Sequence, residues 1–370
     1  MFANVSNKDT FLNLSQLESF ILENQLGPVQ IQIGYPKQSI VNKSGLIIGS
    51  AAKSQKFGLD DLLNQKLNDL DIDKKIRLAL NLPQPEEKKA PTFESIIITP
   101  FEKYEVTFNT LMDEIRFGNI YEVNYCIQAQ INNLELDGMR LFANLLTVTR
   151  APYCNYTETK DELFMGFSPE LFLQKKGNTL IAKPMKGTRK RIHDDQDKDN
   201  ALIQELASSV KERAENVMIV DLMRNDMSKI AKPNSVKVTG LFEVETFATV
   251  HQMTSTITCE LKNNIRFSEI IEAMFPTGSM TGAPKHSAMN LIEQTEHAPR
   301  EWFAGCSGII YENGDFDLSV NIRCLIYNKL SKKGVVWAGS AITAYANAKD
   351  EYNECLLKMK PILNALEINR

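Results

Sequence analysis

The chain has 370 residues, 43% of them hydrophobic and 24% charged, with a net charge of −4 and a pI near 5.8. These proportions exclude collagen-like, low-complexity and disordered chains, and the length allows two or three domains or one large one. The acidic balance argues against bulk nucleic-acid binding, which needs a basic footprint.

In chain order, Val29–Ile33 and 45–49 have strand periodicity, and Leu59 to Leu82 has helical spacing with many charges. Residues 83–91, rich in proline and charge, read as a linker or exposed crossing. We therefore expect a short N-terminal region with its linker over 1–92 and a larger domain over 93–370. Tyr104 to Phe117 predicts a helix ended by Gly118, and Tyr121 to Ile131 a strand. Leu163 to Phe167, Leu171 to Lys176 and Thr179 to Pro184 predict strands, the last two joined by a Gly177-Asn178 turn. Asp194 to Asp226 turns from polar to amphipathic and helical. Val236 to Cys259 is β-rich. Phe303 to Thr343 reads as several strands with an Asn313-Gly314 turn, and Asn347 to Leu366 as a helix. Strand runs without βαβ alternation favour α+β with antiparallel sheet.

No apolar run approaches the roughly 20 residues that span a bilayer. Met1 to Asp9 has neither the basic start nor the apolar core of a secretion signal. Six scattered cysteines without a Cys-x-x-Cys pair predict neither a disulfide framework nor a zinc site. The expectation is reduced thiols, a cytoplasmic setting and no membrane partner.

Several groups of residues could carry chemistry. Glu212-x-x-Glu215 and Glu351-x-x-Glu354 each put two carboxylates on one helix face. Facing each other, they would make an oxygen cage of the kind Mg²⁺ prefers; apart, they would be solvated acidic faces. Lys186, in Pro184-Met185-Lys186-Gly187-Thr188-Arg189, ends a strand. Held out of water, its pKa would fall and the amine would become nucleophilic; the alternative is an exposed lysine at a turn. Phe275 to Lys285 brackets a helix start near Ser287 with glycines and hydroxyls, where backbone N–H groups bind anions, but it lacks a Walker lysine. Arg323, in an apolar strand, needs an anion, either a protein carboxylate or a substrate's. Small residues at Gly339-Ser340-Ala341 permit close ligand approach to backbone amides.

Together these residues resemble the chorismate-utilising enzymes. The ordered set is Ser168-Pro169-Glu170, the PMKGTR segment, Lys211 to Glu215 leading into Val220 to Asp226, His251, the FPTGSMTGAPK segment, Ile322-Arg323 and Glu351-x-x-Glu354-x-x-x-Lys358, covering roughly residues 95–365. The resemblance implies an α+β fold of two large, mostly antiparallel sheets packed as a sandwich and ringed by helices. It implies chorismate as substrate and Mg²⁺ held by Glu215 and Glu354, with Glu212 and Glu351 in support. Lys186 would be the nucleophile and Glu170 the general acid and base, while His251 would orient the ring. Arg323, Lys358 and the Gly339, Ser340 and Ala341 backbone would hold the enolpyruvyl carboxylate. Gly187, Thr188, Arg189, Ser279 and Phe303 would complete the substrate contacts.

Within that family, the branch that aminates chorismate at C4 carries a lysine at the position of Lys186, and the anthranilate-forming branch carries alanine. The resemblance therefore implies the first reaction, with anthranilate formation as the alternative. Water-using relatives place a lysine where this chain has Glu122. Phe303, Cys324 and Ala341 depart from residues common in the family. The chain has no Gly-x-Cys-x-Gly glutaminase segment, so ammonia is expected from a separate glutamine amidotransferase subunit.

Overall fold

A computed structural model describes residues 2–5, 29–33, 35, 46–50, 90–247 and 249–367. The predicted helix over Leu59 to Leu82 and nearly all of the 83–91 linker lie outside these residues. In chain order the described elements begin β1 (Phe2–Val5), β2 (Val29–Ile33), β3 (Leu46–Ser50), β4 (Ser95–Ile98), α1 (Phe101–Arg116), β5 (Glu122–Asn132), α2 (Gly138–Thr149), β6 (Tyr153–Glu158) and β7 (Glu162–Ser168). There follow β8 (Leu171–Lys176), β9 (Thr179–Ala182), β10 (Met185–Lys190), α3 (Gln196–Ser208), α4 (Val210–Ser228), β11 (Lys237–Thr246) and β12 (Val250–Glu260). The chain continues through α5 (Phe267–Met274), β13 (Gly282–Ala283), α6 (Lys285–Thr295), β14 (Cys306–Ile310), β15 (Phe316–Val320), β16 (Cys324–Asn328), β17 (Lys333–Thr343) and α7 (Ala348–Ala365).

The strands form two sheets. The first has the order β1-β6-β7-β16-β17-β5-β13, with β4 also against β5. The second has the order β10-β12-β9-β8-β15-β14-β2-β3, with β11 also against β12. Among the described strands only β1 and β6 pair in parallel. The fold is thus α+β with two mostly antiparallel sheets. Strands from before residue 92 enter both: β1 joins the first, and β2 and β3 join the second through β14.

Two apolar clusters account for the layering. One packs α1, α2 and α7 on a face of the first sheet through Tyr104, Phe108, Phe142, Leu145, Tyr352 and Met359. The other lies where the sheets meet: Phe164, Ile326 and Trp337 of the first meet Phe172, Leu173, Leu318 and Ile257 of the second. It continues into α4 and α5 through Ile219, Met223, Ile270 and Ile271. Alternating burial on two faces is what strand periodicity requires.

Most predicted elements appear close to their expected limits. The helix expected near Ser287 begins at Lys285, after the cis peptides Phe275–Pro276 and Ala283–Pro284. Strand β10 runs on through Arg189 to Lys190, paired with β12. Asn313-Gly314 does turn the β14–β15 hairpin, with Gly314 at φ 77°. Helix α2 begins at Gly138, and Asp137 caps it by accepting from the Arg140 N–H.

Candidate active site

Two adjacent connections cross from one sheet to the other, and each carries a candidate residue. Ser168-Pro169-Glu170 joins β7 to β8, and Asn321-Ile322-Arg323 joins β15 to β16. Because β7 pairs with β16 and β8 with β15, the crossings run side by side. The Val320 N–H donates to the Glu170 carbonyl, and the Phe167 N–H to the Arg323 carbonyl. Glu170 is buried, and burial pushes its carboxyl up to about 7 against the pull of a Ser279 hydrogen bond and the Lys186 and Lys358 charges.

Lys186 reaches into the same space from β10. Its Nζ lies 2.5 Å from Glu122 Oε1, at the start of β5 on the opposite sheet. Burial acts to lower the lysine's pKa, but Glu122, Glu215 and Glu170 outweigh it, and the net shift is upward. This corrects the expectation from desolvation alone: the resting amine is a paired ammonium. Gly187 makes the approach possible. It takes φ +74° at a bulge where the β10–β12 register slips, and a Cβ there would stand 2.8 Å from Glu212 Oε2.

The FPTGSMTGAPK segment lines the site as a loop held from both sides. Lys285 Nζ donates to the Met274 and Pro276 carbonyls and pairs with Asp226 on α4. Arg300, buried and paired with Glu296, donates to the Met280 and Asn124 carbonyls. Ser279 shares a hydrogen bond with Thr277 in a short 3₁₀ turn, Gly278–Met280, and faces Glu170.

The two Glu-x-x-Glu segments come together. Lys211 on α4 donates to Glu351 on α7 and lies 3.8 Å from Glu215 of its own helix. A single cation thus bridges carboxylates from both helices. Glu215 is buried, its Oε1 has no hydrogen-bond partner, and burial pushes its carboxyl up to about 7. Burial and the Glu354 charge raise Glu351. Burial also opposes ionisation of Glu354, but Lys358, 2.6 Å away, holds it below its ordinary value. Among the described residues no three His, Cys, Asp or Glu side chains form a ready-made metal cluster.

Arg323 sits at φ 51°, its carbonyl accepting from the Phe167 N–H and its guanidinium without a hydrogen-bond or ion-pair partner among the described residues. Burial lowers its pKa, and the Glu354 charge partly offsets this. Lys358 Nζ donates to the Gly339 carbonyl. Gly339 is required by packing: a Cβ there would collide with the Asn124 and Cys126 side chains across β5. Ser340 turns its hydroxyl away, 3.3 Å from Tyr104 OH, so only its backbone faces the site side of β17. Ala341 pairs with Asn124 on β5.

The remaining candidates act at one remove. Arg189 pairs with Glu205 and lies 3.7 Å from Glu212, and Thr188 Oγ1 accepts from Gln252. His251 is fully buried. Its Nε2 lies 2.9 Å from Asp199, and its Nδ1 lies 2.9 Å from Thr246 Oγ1. Asp199 also pairs with Arg191, whose hydrogen bond holds that carboxyl well below the usual carboxylate range. Phe303 is buried and stacked on Trp337, ring centroids 5.7 Å apart. Sequence reading missed Glu122 and Lys211 as members of the site. The available signal at Glu122 was an acid opening an apolar strand, which needs a cation once buried.

Residues 24–364 match the sequence profile of the chorismate binding enzymes. The chain belongs to that family. It is 38% identical over 267 residues to aminodeoxychorismate synthase component 1 of Salmonella typhimurium, a match covering 72% of this chain and 58% of the relative. It is 30% identical over 292 residues to anthranilate synthase component 1 of Acinetobacter calcoaceticus, covering 77% and 58%. The matches thus span little more than half the length of these relatives. Among solved structures, a putative 2,3-dihydroxybenzoate-specific isochorismate synthase from Bacillus anthracis superposes with a TM-score of 0.77 at 20% identity, over 99% of this chain and 93% of that one. That likeness concerns the fold.

Proposed function

We propose that this chain converts chorismate and ammonia to 4-amino-4-deoxychorismate and water. The observation that carries the reading is Lys186, buried between the sheets among Glu122, Glu170 and Glu215. A binding module has no use for a buried amine beside a carboxyl poised near neutrality, and an anthranilate-forming site would leave Lys186 without a task. Lys186 adds to the chorismate ring as the C4 hydroxyl departs, and ammonia then replaces the lysine. Glu170, its carboxyl raised to about 7, gives the departing hydroxyl a proton and later takes one from the new amine. Arg323 and Lys358 hold the enolpyruvyl carboxylate. Ser279 holds Glu170 in place, and Gly187 and Thr188 present backbone and hydroxyl to the ring. Arg189 steadies Glu212, and His251 braces β10 through Asp199.

The acidic residues fit a divalent cation. Glu215 Oε1 is buried and accepts no hydrogen bond, and a lysine ammonium already bridges Glu215 and Glu351. Glu215 and Glu354, supported by Glu212 and Glu351, are the residues that would hold Mg²⁺. Bound there, it would neutralise the ring carboxylate of chorismate. The ammonia source we propose is a separate glutamine amidotransferase subunit, in keeping with the component 1 name of the Salmonella relative. Cytosolic operation is consistent with six free, buried cysteines. No helix among the described residues is long and apolar enough to cross a membrane.

The test is product analysis. Purified protein, chorismate, Mg²⁺ and ammonium should yield an aminated product that keeps its enolpyruvyl group. Glutamine should substitute for ammonium only with an amidotransferase subunit present. Anthranilate as the main product would contradict the reading.

A further inference from the structure

Lys186 begins the reaction in the wrong protonation state. An ammonium has no lone pair to add to a ring carbon, so something must take its proton before the amine can act. Three carboxyl groups face it: Glu122 from β5, Glu215 from α4 and Glu170 from the β7–β8 crossing. Glu170 is committed to the C4 oxygen, and Glu215 belongs to the acidic pair of helices. Glu122 alone touches the lysine, at 2.5 Å.

Its surroundings argue against a merely structural pair. Glu122 is 1% exposed, yet only Oε1 is engaged, and Oε2 has no hydrogen-bond partner. A buried carboxylate kept for stability would have both oxygens satisfied, since each unmet acceptor costs free energy. Backbone pairing fixes the residue: β17 flanks it at Thr343 and β13 at Ala283. The carboxylate is therefore held on one sheet while the amine approaches from the other.

We propose that Glu122 is the proton partner of Lys186 in each turnover, taking the ammonium proton before the amine adds and returning it after the amine leaves. The inference rests on the amination reading above, and the proton balance closes within the site. The Lys186 ammonium passes H⁺ to Glu122, leaving a neutral amine and a carboxylic acid. The amine forms an N–C bond to the ring, the C4–O bond breaks, and the Glu170 carboxyl protonates the departing oxygen to give water. The adduct is a secondary ammonium. Ammonia forms the C4–N bond as the lysine N–C bond breaks and its electron pair returns to Nζ. The new C4 ammonium gives its extra proton to the Glu170 carboxylate. The Glu122 carboxyl returns its proton to Nζ, and both acids stand as they began.

Glu122→Gln keeps the shape and removes the proton acceptor. With saturating ammonium and Mg²⁺, kcat should fall at least about tenfold, within the usual range for general acid–base groups. KM for chorismate should stay within about threefold and thermal melting should be unchanged. Glu122→Asp, which keeps a carboxylate, should recover part of the loss. A second readout needs no turnover: at one pH near neutrality, acetic anhydride should acylate Lys186 several-fold faster in Glu122→Gln than in wild type, because its partner no longer holds it protonated. Wild-type kcat in Glu122→Gln, or unchanged Lys186 acylation, would overturn the role. If the Gln variant fails to fold, the Asp variant decides: kcat must fall while KM and melting hold, and a parallel loss of all three overturns the proposal. Wild type that makes no aminated product would instead remove the amination reading.

Discussion

Lys211 on α4 donates to Glu351 on α7 across 3.3 Å, and the contact ties together two acidic segments 140 residues apart in the chain. If the carboxylates around it serve one divalent ion, they act as a unit. Glu215→Gln and Glu354→Gln should each weaken chorismate binding in the presence of Mg²⁺, and the double variant should lose far less than the two single losses combined. Calorimetric titration with and without Mg²⁺ reads this. Solvated faces would give changes within about ±0.5 kcal/mol for both.

Glu170 sets a pH dependence. If it is the free enzyme's general acid, as proposed, it must be protonated, so kcat/KM should fall on the alkaline side with a midpoint near 7. The same shift bears on stability. A carboxyl raised from 4.5 to about 7 on folding favours the fold below 4.5, and that advantage is lost as pH rises through 7. Unfolding free energy in wild type should drop by about 3 kcal/mol across that window relative to Glu170→Gln, which does not titrate. Denaturant titrations at pH 4.5 and 8 compare the two slopes.

Arg323 separates binding from stability. Its guanidinium is half-buried without a partner among the described residues, so replacing it relieves a desolvation cost. Arg323→Met should melt at or above the wild-type temperature and bind chorismate at least about tenfold more weakly, as expected for loss of a charged hydrogen bond. A variant that loses stability as well would mean that the arginine has a structural anion.

Gly187→Ala tests the bulge. The left-handed conformation and the close approach to Glu212 and Leu206 both oppose a Cβ. The variant should lose about 1–3 kcal/mol of stability and most of its turnover, because Lys186 precedes the strained residue. Unfolding midpoints and single-turnover rates measure the two effects.

The elements that sequence reading located best were those with strong local periodicity. Asn347 to Leu366 matches α7 to one residue at each end, and Tyr104 to Phe117 matches α1 apart from its first turn, which begins at Phe101. Short elements, such as α2, α5 and the β4 edge strand, were missed because they are apolar runs with too few turns or alternations to show a period. The site was legible as an ordered set of motifs, but not as a geometry. Nothing in the spacing of Glu122 and Lys186 says that β5 and β10 face each other from different sheets. The sign of the lysine's pKa shift follows from that contact, which is why burial alone predicted it wrongly.

The central claim is that Lys186 becomes covalently bonded to the chorismate ring. The most direct measurement mixes the protein with chorismate and Mg²⁺ in the absence of ammonia, quenches in acid, and maps added mass by peptide mass spectrometry. The account predicts the mass of chorismate less water on Lys186, absent from Lys186→Ala and discharged when ammonium is added. Amination that proceeds at the wild-type rate in Lys186→Ala, or an adduct on any other residue, would contradict it.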